Sequence, residues 1–176
     1  MTSDIPVLKI GAVIVHPTTR AVLIMQPIPK KTGENPAYVM PRGSRQYQSP
    51  DGNWHDARDA ATGIAHAATL EPFPRGLTRE IEEEAGITEA QLAAAKVSEL
   101  GARAFQSRTK GIYPIHWYLV VPDAATAETV TQKTPVDALS IRWAEVAEIK
   151  AMAARGDFSA GYVPVIEEAL AMVAGA

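Results

Sequence analysis

The stretch Arg79-Glu80-Ile81-Glu82-Glu83-Glu84-Ala85-Gly86-Ile87 constrains the fold most, because it crowds four carboxylates into little more than one turn of a helix. At about 100° per residue, Glu80, Glu83 and Glu84 fall within an arc of roughly 100°, while Phe73, Leu77, Ile81 and Ala85 recur every fourth residue along an adjoining stripe. One side of such a helix can pack on a sheet. The next carries like charges that repel one another unless a cation lies among them. Glutamates three and four apart offer hard oxygen donors, which suit magnesium or manganese better than zinc or copper. A Glu-rich stretch in isolation is more often a solvated helix face. Here the surroundings point the other way: Arg79 precedes the first glutamate, Gly86 follows the last, and Glu71 stands upstream.

The rest of the chain bounds what such a helix can belong to. Its 176 residues suit one domain with a substantial core, and 17 basic against 20 acidic residues give a net charge of −3. That balance supplies no overall attraction to nucleic acid or to an anionic membrane, so any phosphate recognition must be local. There is no cysteine, which excludes disulfides and thiolate metal sites. Met1 to Pro6 carries Asp4 and does not read as a secretory leader, and no apolar run approaches the roughly 20 residues that span a bilayer. A cytoplasmic protein is the expectation.

The pattern of residues predicts the following order. Val7 to Val15 and Ala21 to Met25 read as a hairpin in the core sheet, joined by Pro17-Thr18-Thr19-Arg20, and a short strand is expected at Ala37 to Met40. Pro41-Arg42-Gly43-Ser44 reads as a turn, followed by a polar stretch and an extra helix with Trp54, Ala57, Ala61, Ile64 and Ala68 at helical spacing. The acidic helix should begin near Pro74 and stop at Gly86. Strands follow at Val97 to Phe105, Ile112 to Val121 and Ser140 to Trp143, helices at Glu145 to Ala154 and Pro164 to Val173, and a loop at Asp123 to Pro135.

Glu71, Arg79, Glu80, Ile81, Glu83, Glu84, Gly86 and Ile87 stand at the spacing of the Nudix hydrolase signature, and the segment resembles that family over these eight positions. The pattern opens on a glycine six residues before its first glutamate, where this chain has Ala65. The Pro41-Arg42-Gly43 turn is similar to the family's Pro-Gly-Gly or Pro-Lys-Gly element, so Gly43 takes that place. This leaves 27 residues, 44 to 70, where the pattern has five. The resemblance implies an α+β fold, an α/β/α sandwich around a central mixed β-sheet; the insertion, a departure from the family pattern, is expected to border the substrate pocket. Gly76 also departs from the family's usual alanine, at a cost of about 1 kcal/mol in helix propensity.

Carried over residue by residue, the resemblance implies that Glu80, Glu83 and Glu84 are metal ligands for Mg2+ or Mn2+, with the Gly43 carbonyl beside them. Either Glu80 or Glu84 would activate a water. Arg79 would orient the glutamates with Glu71 as its partner, and Glu82 would face solvent. The substrate implied is a nucleoside diphosphate linked to another moiety, such as a nucleotide sugar, a dinucleotide or a dinucleoside polyphosphate. Arg42 is a candidate phosphate contact, with Lys30, Lys31, Arg45, Arg108 and Lys110 as a basic rim. Tyr38, Tyr47, Trp54, Tyr113 and Trp117 could stack on a base or pack in the core, and His116 reads as structural. Glu128 and Asp137 are weaker candidates for an added acid. Two readings remain, a pyrophosphohydrolase or a non-catalytic nucleotide-binding or regulatory module, and the full set of signature acids favours the enzyme. An isomerase is disfavoured by the lack of cysteine. Nothing in the sequence decides between a monomer and a homodimer.

Overall fold

The computed structural model describes residues 6–107, 111–136 and 138–175, so Arg108, Lys110 and Asp137 lie outside the described residues. Along the chain come β1 (Lys9–Ile14), β2 (Val22–Pro27), β3 (Arg42–Ser44), β4 (Gln46–Gln48), β5 (Trp54–Asp56) and α1 (Ala60–Ala65). They are followed by α2 (Phe73–Ala85), α3 (Glu89–Ala93), β6 (Lys96–Ser107), β7 (Gly111–Val121), α4 (Ala124–Thr129), β8 (Ala138–Ala144), α5 (Val146–Arg155) and α6 (Val163–Ala174). The central sheet is mixed, in the order β3-β1-β7-β6, with β1 parallel to β7 and antiparallel to β3. Helices cover both of its faces. On one, Ile10, Ala12 and Ile14 of β1 meet Leu77, Ile81 and Ala85 of α2. On the other, Val13 and Val15 share a core with Ile149 and Met152 of α5 and Val165, Ile166 and Ala169 of α6. The alternation of β1 residues between these two cores is the period-two geometry of a strand buried on both sides.

The expected hairpin of the first two strands does not form. Apart from one bridge between Val15 and Val22, they separate, and β2 pairs along its length with β8 in a second two-stranded sheet. Val22 and Ile24 enter one core and Leu23 and Met25 the other. A strand apolar on both faces can be served by any buried neighbour, so its pattern does not name its partner. The region around Ala37 to Met40 makes only isolated bridges, through Val39 to Met25 and Tyr38 to Phe158. The regular strand lies instead at Arg42–Ser44, where a turn was expected.

The insertion holds a small hairpin, β4 with β5, and then α1. Trp54 belongs to β5 rather than to a helix, and Ile64 is exposed, so the apolar spacing from Trp54 to Ala68 marks no inward stripe. The buried member of α1 is Gly63, seated against Leu8 and Pro6. Asp123 to Pro135 is also not all loop: Asp123 accepts from the Thr126 amide at 2.7 Å and starts α4. A second short helix, α3, begins at a capping box of Thr88 and Gln91.

The acidic helix matches its expected bounds closely, with Pro74 in its first turn and Gly86 in the left-handed conformation at its end. Gly76 is explained by what lies opposite. A β-carbon there would overlap Ile10 Cδ1 and stand 3.0 Å from the Glu71 carboxylate. Gly76→Ala should therefore destabilise the chain by about 1–3 kcal/mol despite the gain in helix propensity. Urea unfolding of the two proteins measures this, and a more stable variant would show that α2 can move off β1 freely.

Candidate active site

The site is built where α2 meets the short edge strand β3. Glu71, just before α2, has 0% exposure. A carboxylate this deep must have its oxygens satisfied. Its Oε1 accepts from Arg79 Nη2 at 2.6 Å and from the Gln46 amide at 2.8 Å. The backbone is fixed as well: Glu71 N–H donates to the Gln46 carbonyl at 2.8 Å, and Arg45 donates to the Glu71 carbonyl through Nη2 at 2.7 Å and Nε at 3.0 Å. Arg45, expected on a basic rim, is thus turned inward, with its guanidinium 4.2 Å from the centre of the Phe73 ring.

Arg79 distributes its donors over several elements. Besides Glu71, Nη2 reaches the Ser44 carbonyl at 2.7 Å, and Nη1 reaches Glu80 Oε1 at 2.8 Å and Glu83 Oε2 at 3.2 Å. The planar guanidinium fork suits this, since several N–H groups lie in one plane at fixed angles. Burial works against its charge, but hydrogen bonds and charge pairing with Glu71 and Glu80 outweigh burial and raise its pKa.

Glu80 is only 6% exposed and lies directly against Gly43. A β-carbon on Gly43 would overlap the Glu80 carboxylate, so any larger residue at that point of β3 would displace the acid. The 27-residue insertion therefore does not separate the two: Gly43 stands beside the signature helix although the strict spacing points to Ala65. Burial pushes the Glu80 pKa up from 4.5 to about 7; Arg79 pulls it down by less, and the charges of Glu83 and Glu84 add to the rise. Glu83 has a side chain 53% exposed, Glu84 is half-buried one turn beyond Glu80, and Glu82 is exposed.

As placed, Glu80 and Glu83 are turned toward Arg79, and among the described residues no three carboxylate or imidazole groups are gathered around a common point where an ion would sit. The donor set still fits a hard divalent cation. Three carboxylates share one arc, the charges of Glu83 and Glu84 raise the cost of charging Glu80, and Glu83 meets Arg79 by a 3.2 Å contact on an exposed side chain that can turn.

No protein-family model matches the chain, and no curated protein matches it in sequence. Solved structures do match in shape. A NUDIX hydrolase from Nitrosomonas europaea superposes with a TM-score of 0.53 at 16% identity, covering 93% of this chain and 87% of its own. An E. coli dihydroneopterin triphosphate pyrophosphohydrolase gives 0.55 at 15% identity, covering 91% and 92%. A C. elegans Ap4A hydrolase gives 0.54 at 14% identity, covering 96% and 99%. The chain has the Nudix fold. The residues that resemble that family's signature lie on α2, and Gly43 lies on the strand β3 beside it.

The remaining candidates are scattered over this Nudix frame. Arg42 points away from α2: its Nη1 donates to the Tyr113 hydroxyl at 3.2 Å, and the guanidinium lies over the rings of Phe105 and Tyr162. Trp117 is fully buried, Trp54 carries Arg75 on its ring at 3.7 Å, and Tyr47 stacks on His66. Tyr38 is covered by Arg142 at 5.0 Å. His116 stacks on Phe73 with Glu99 Oε1 2.6 Å from its Nε2, a structural placement. Lys30 and Lys31 are exposed in the loop before β3, and Glu128 is exposed on α4. The Ser44 carbonyl and the Gln46 amide were not foreseen, since backbone groups leave no mark on residue identity.

Glu80 gives a pH test in the metal-free protein. Its folded pKa lies above the unfolded value, so its contribution to stability is complete below about 4.5 and is lost as pH rises through about 7. Glu80→Gln removes that loss, so the variant's stability relative to the parent should grow from pH 5 to pH 8 by on the order of 3 kcal/mol. Thermal unfolding in chelator measures it; parallel curves for the two proteins would contradict the assignment.

Proposed function

We propose that this chain is a metal-dependent pyrophosphohydrolase, cleaving a nucleoside diphosphate linked to another moiety by attack of water on phosphorus. The observation that carries the reading is the buried Glu71–Arg79 clamp, which holds Glu80 against Gly43, with Glu83 and Glu84 on the same arc of α2 and near enough for their charges to act on it. A purely structural ion pair has no use for two further carboxylates crowded beside it at a cost in repulsion. Glu80, Glu83 and Glu84, with the Gly43 peptide beside them, would hold Mg2+ or Mn2+. Such an ion supplies charge neutralisation at the diphosphate and a more acidic water. It is the chemistry of the donor set that supports this choice of metal.

The chain's own residues then have distinct tasks. Arg79 fixes the rotamer of Glu80 and, tied to Ser44 and Glu71, keeps β3 and α2 in register. Glu80 or Glu84 accepts the proton of the attacking water as the new oxygen–phosphorus bond forms. The anhydride bond breaks on the opposite side, and the leaving phosphate departs with the electron pair. No covalent enzyme intermediate is needed. The substrate names attached to the similar structures, a dihydroneopterin triphosphate and Ap4A, belong to those proteins and share only the anhydride with this proposal.

Glu83→Gln should lower turnover by about two orders of magnitude or more while leaving the fold intact, because its side chain is half exposed and only its charge is lost. The assay is phosphate-product release from a panel of nucleotide sugars, dinucleotides and dinucleoside polyphosphates with Mg2+ and Mn2+, with labelled water locating the attacked phosphorus. Near-parental activity in the variant would remove Glu83 from the site. Absence of turnover across the panel, together with tight nucleotide binding, would replace the enzyme by a binding module.

A further inference from the structure

At the end of the sheet where β1 and β7 begin, a recess of about 280 Å³ lies between the insertion and β7, lined among others by Leu8, Lys9, Arg58, Ala60, Tyr113 and Pro114. Its lower edge exists because α1 is pressed onto the start of the chain: Gly63 has no room for a side chain against Leu8 and Pro6. The insertion therefore makes one wall and the sheet the other. We propose that this recess receives the nucleobase of the substrate, with Tyr113 as its stacking surface and Lys9 and Arg58 toward the phosphates. The choice of ligand rests on the hydrolase reading above.

The size comes first. Pockets for whole drug-sized ligands run to about 300–1,000 Å³, so this one takes a part of a substrate rather than a complete dinucleotide. The lining is apolar along Leu8, Pro114 and the Tyr113 ring, which suits a flat base better than a sugar that needs a hydroxyl partner at every carbon. Tyr113 is set in place beforehand. Its hydroxyl accepts from Arg42 at 3.2 Å and its ring leans on Phe105 with centroids 5.6 Å apart, so little rotamer freedom is left to lose on binding. The acid in the lining, Asp59, is drawn to the start of α1, where it accepts from the Thr62 amide at 2.8 Å.

Position links the recess to the glutamates. Lys9 sits opposite Ser44 in the β1–β3 ladder, and its ammonium bonds the Ser44 hydroxyl. The carbonyl of the same Ser44 is held by Arg79 on the other side, and the preceding residue, Gly43, touches Glu80. The cationic end of the recess and the carboxylates are thus separated by the backbone of a three-residue edge strand, which at Gly43 has no side chain. A diphosphate passing that edge joins the two.

The test is binding, without catalysis. In chelator, AMP, GMP, CMP and UMP are each compared with ribose 5-phosphate by calorimetry on the full chain. At least one nucleotide should bind about tenfold tighter than ribose 5-phosphate. Ala60→Trp, a change at an exposed position that fills the recess, should erase that difference, and Arg58→Glu should weaken the preferred nucleotide about tenfold. Equal affinity of all five probes in the parent would overturn the proposal, as would a base preference that survives Ala60→Trp. Turnover of diphosphates by a protein with base-blind binding rejects the recess and keeps the hydrolase. A base preference erased by Ala60→Trp in a protein that turns over nothing keeps the recess and rejects the hydrolase.

Discussion

The Glu71–Arg79 pair is the interaction on which the arrangement of the site depends. A carboxylate with no exposure is tolerable only if every lone pair is used and an opposite charge lies within reach. Here the Gln46 amide and Arg79 meet that demand, and these partners come from two separate parts of the chain, the insertion and α2. Satisfying one buried charge therefore aligns the edge strand, the start of α2 and the first glutamate of the cluster. Removing either partner would leave the other unpaired in the interior, which costs more than the pair itself is worth.

Two glycines complete the junction. Gly76 lets α2 approach Ile10, and Gly43 lets the Glu80 carboxylate approach β3. In both places the chain forgoes a side chain where helix and sheet touch. The consequence for Glu80 is an acid with little water around it and negative neighbours, so its proton is held unusually firmly until something positive takes its place.

What the sequence made legible follows from how local each signal was. The acidic helix was readable because its carboxylates, its cap and its packing stripe are all encoded within seventeen residues, 71 to 87. The mixed sheet with helices on both faces and the later strands were readable for a similar reason, since long apolar runs such as Ile115 to Val120 leave few alternatives. Pairing was not. Val22 to Met25 is buried on both sides, and nothing in four apolar residues distinguishes β8 from β1 as a neighbour. The turn of Arg45 onto the Glu71 carbonyl and of Arg42 onto the rings of the opposite core were equally hidden, because an arginine beside a turn looks the same whether it binds a carbonyl, an aromatic ring or a ligand. The insertion misled through its alanines, whose spacing imitates a packed helix although most of them face solvent.

The insertion also leaves and rejoins the frame at nearly one point, where the Gln46 carbonyl meets the Glu71 amide at 2.8 Å and Tyr47 bridges Leu70. A segment whose two ends are already clasped behaves as a detachable cassette. Closing a longer or shorter one changes the loop entropy only slowly, by roughly 0.6 kcal/mol per doubling of length. Between those clasped ends the cassette can be resized without disturbing the Glu71–Arg79 junction, which a buried charge holds in place.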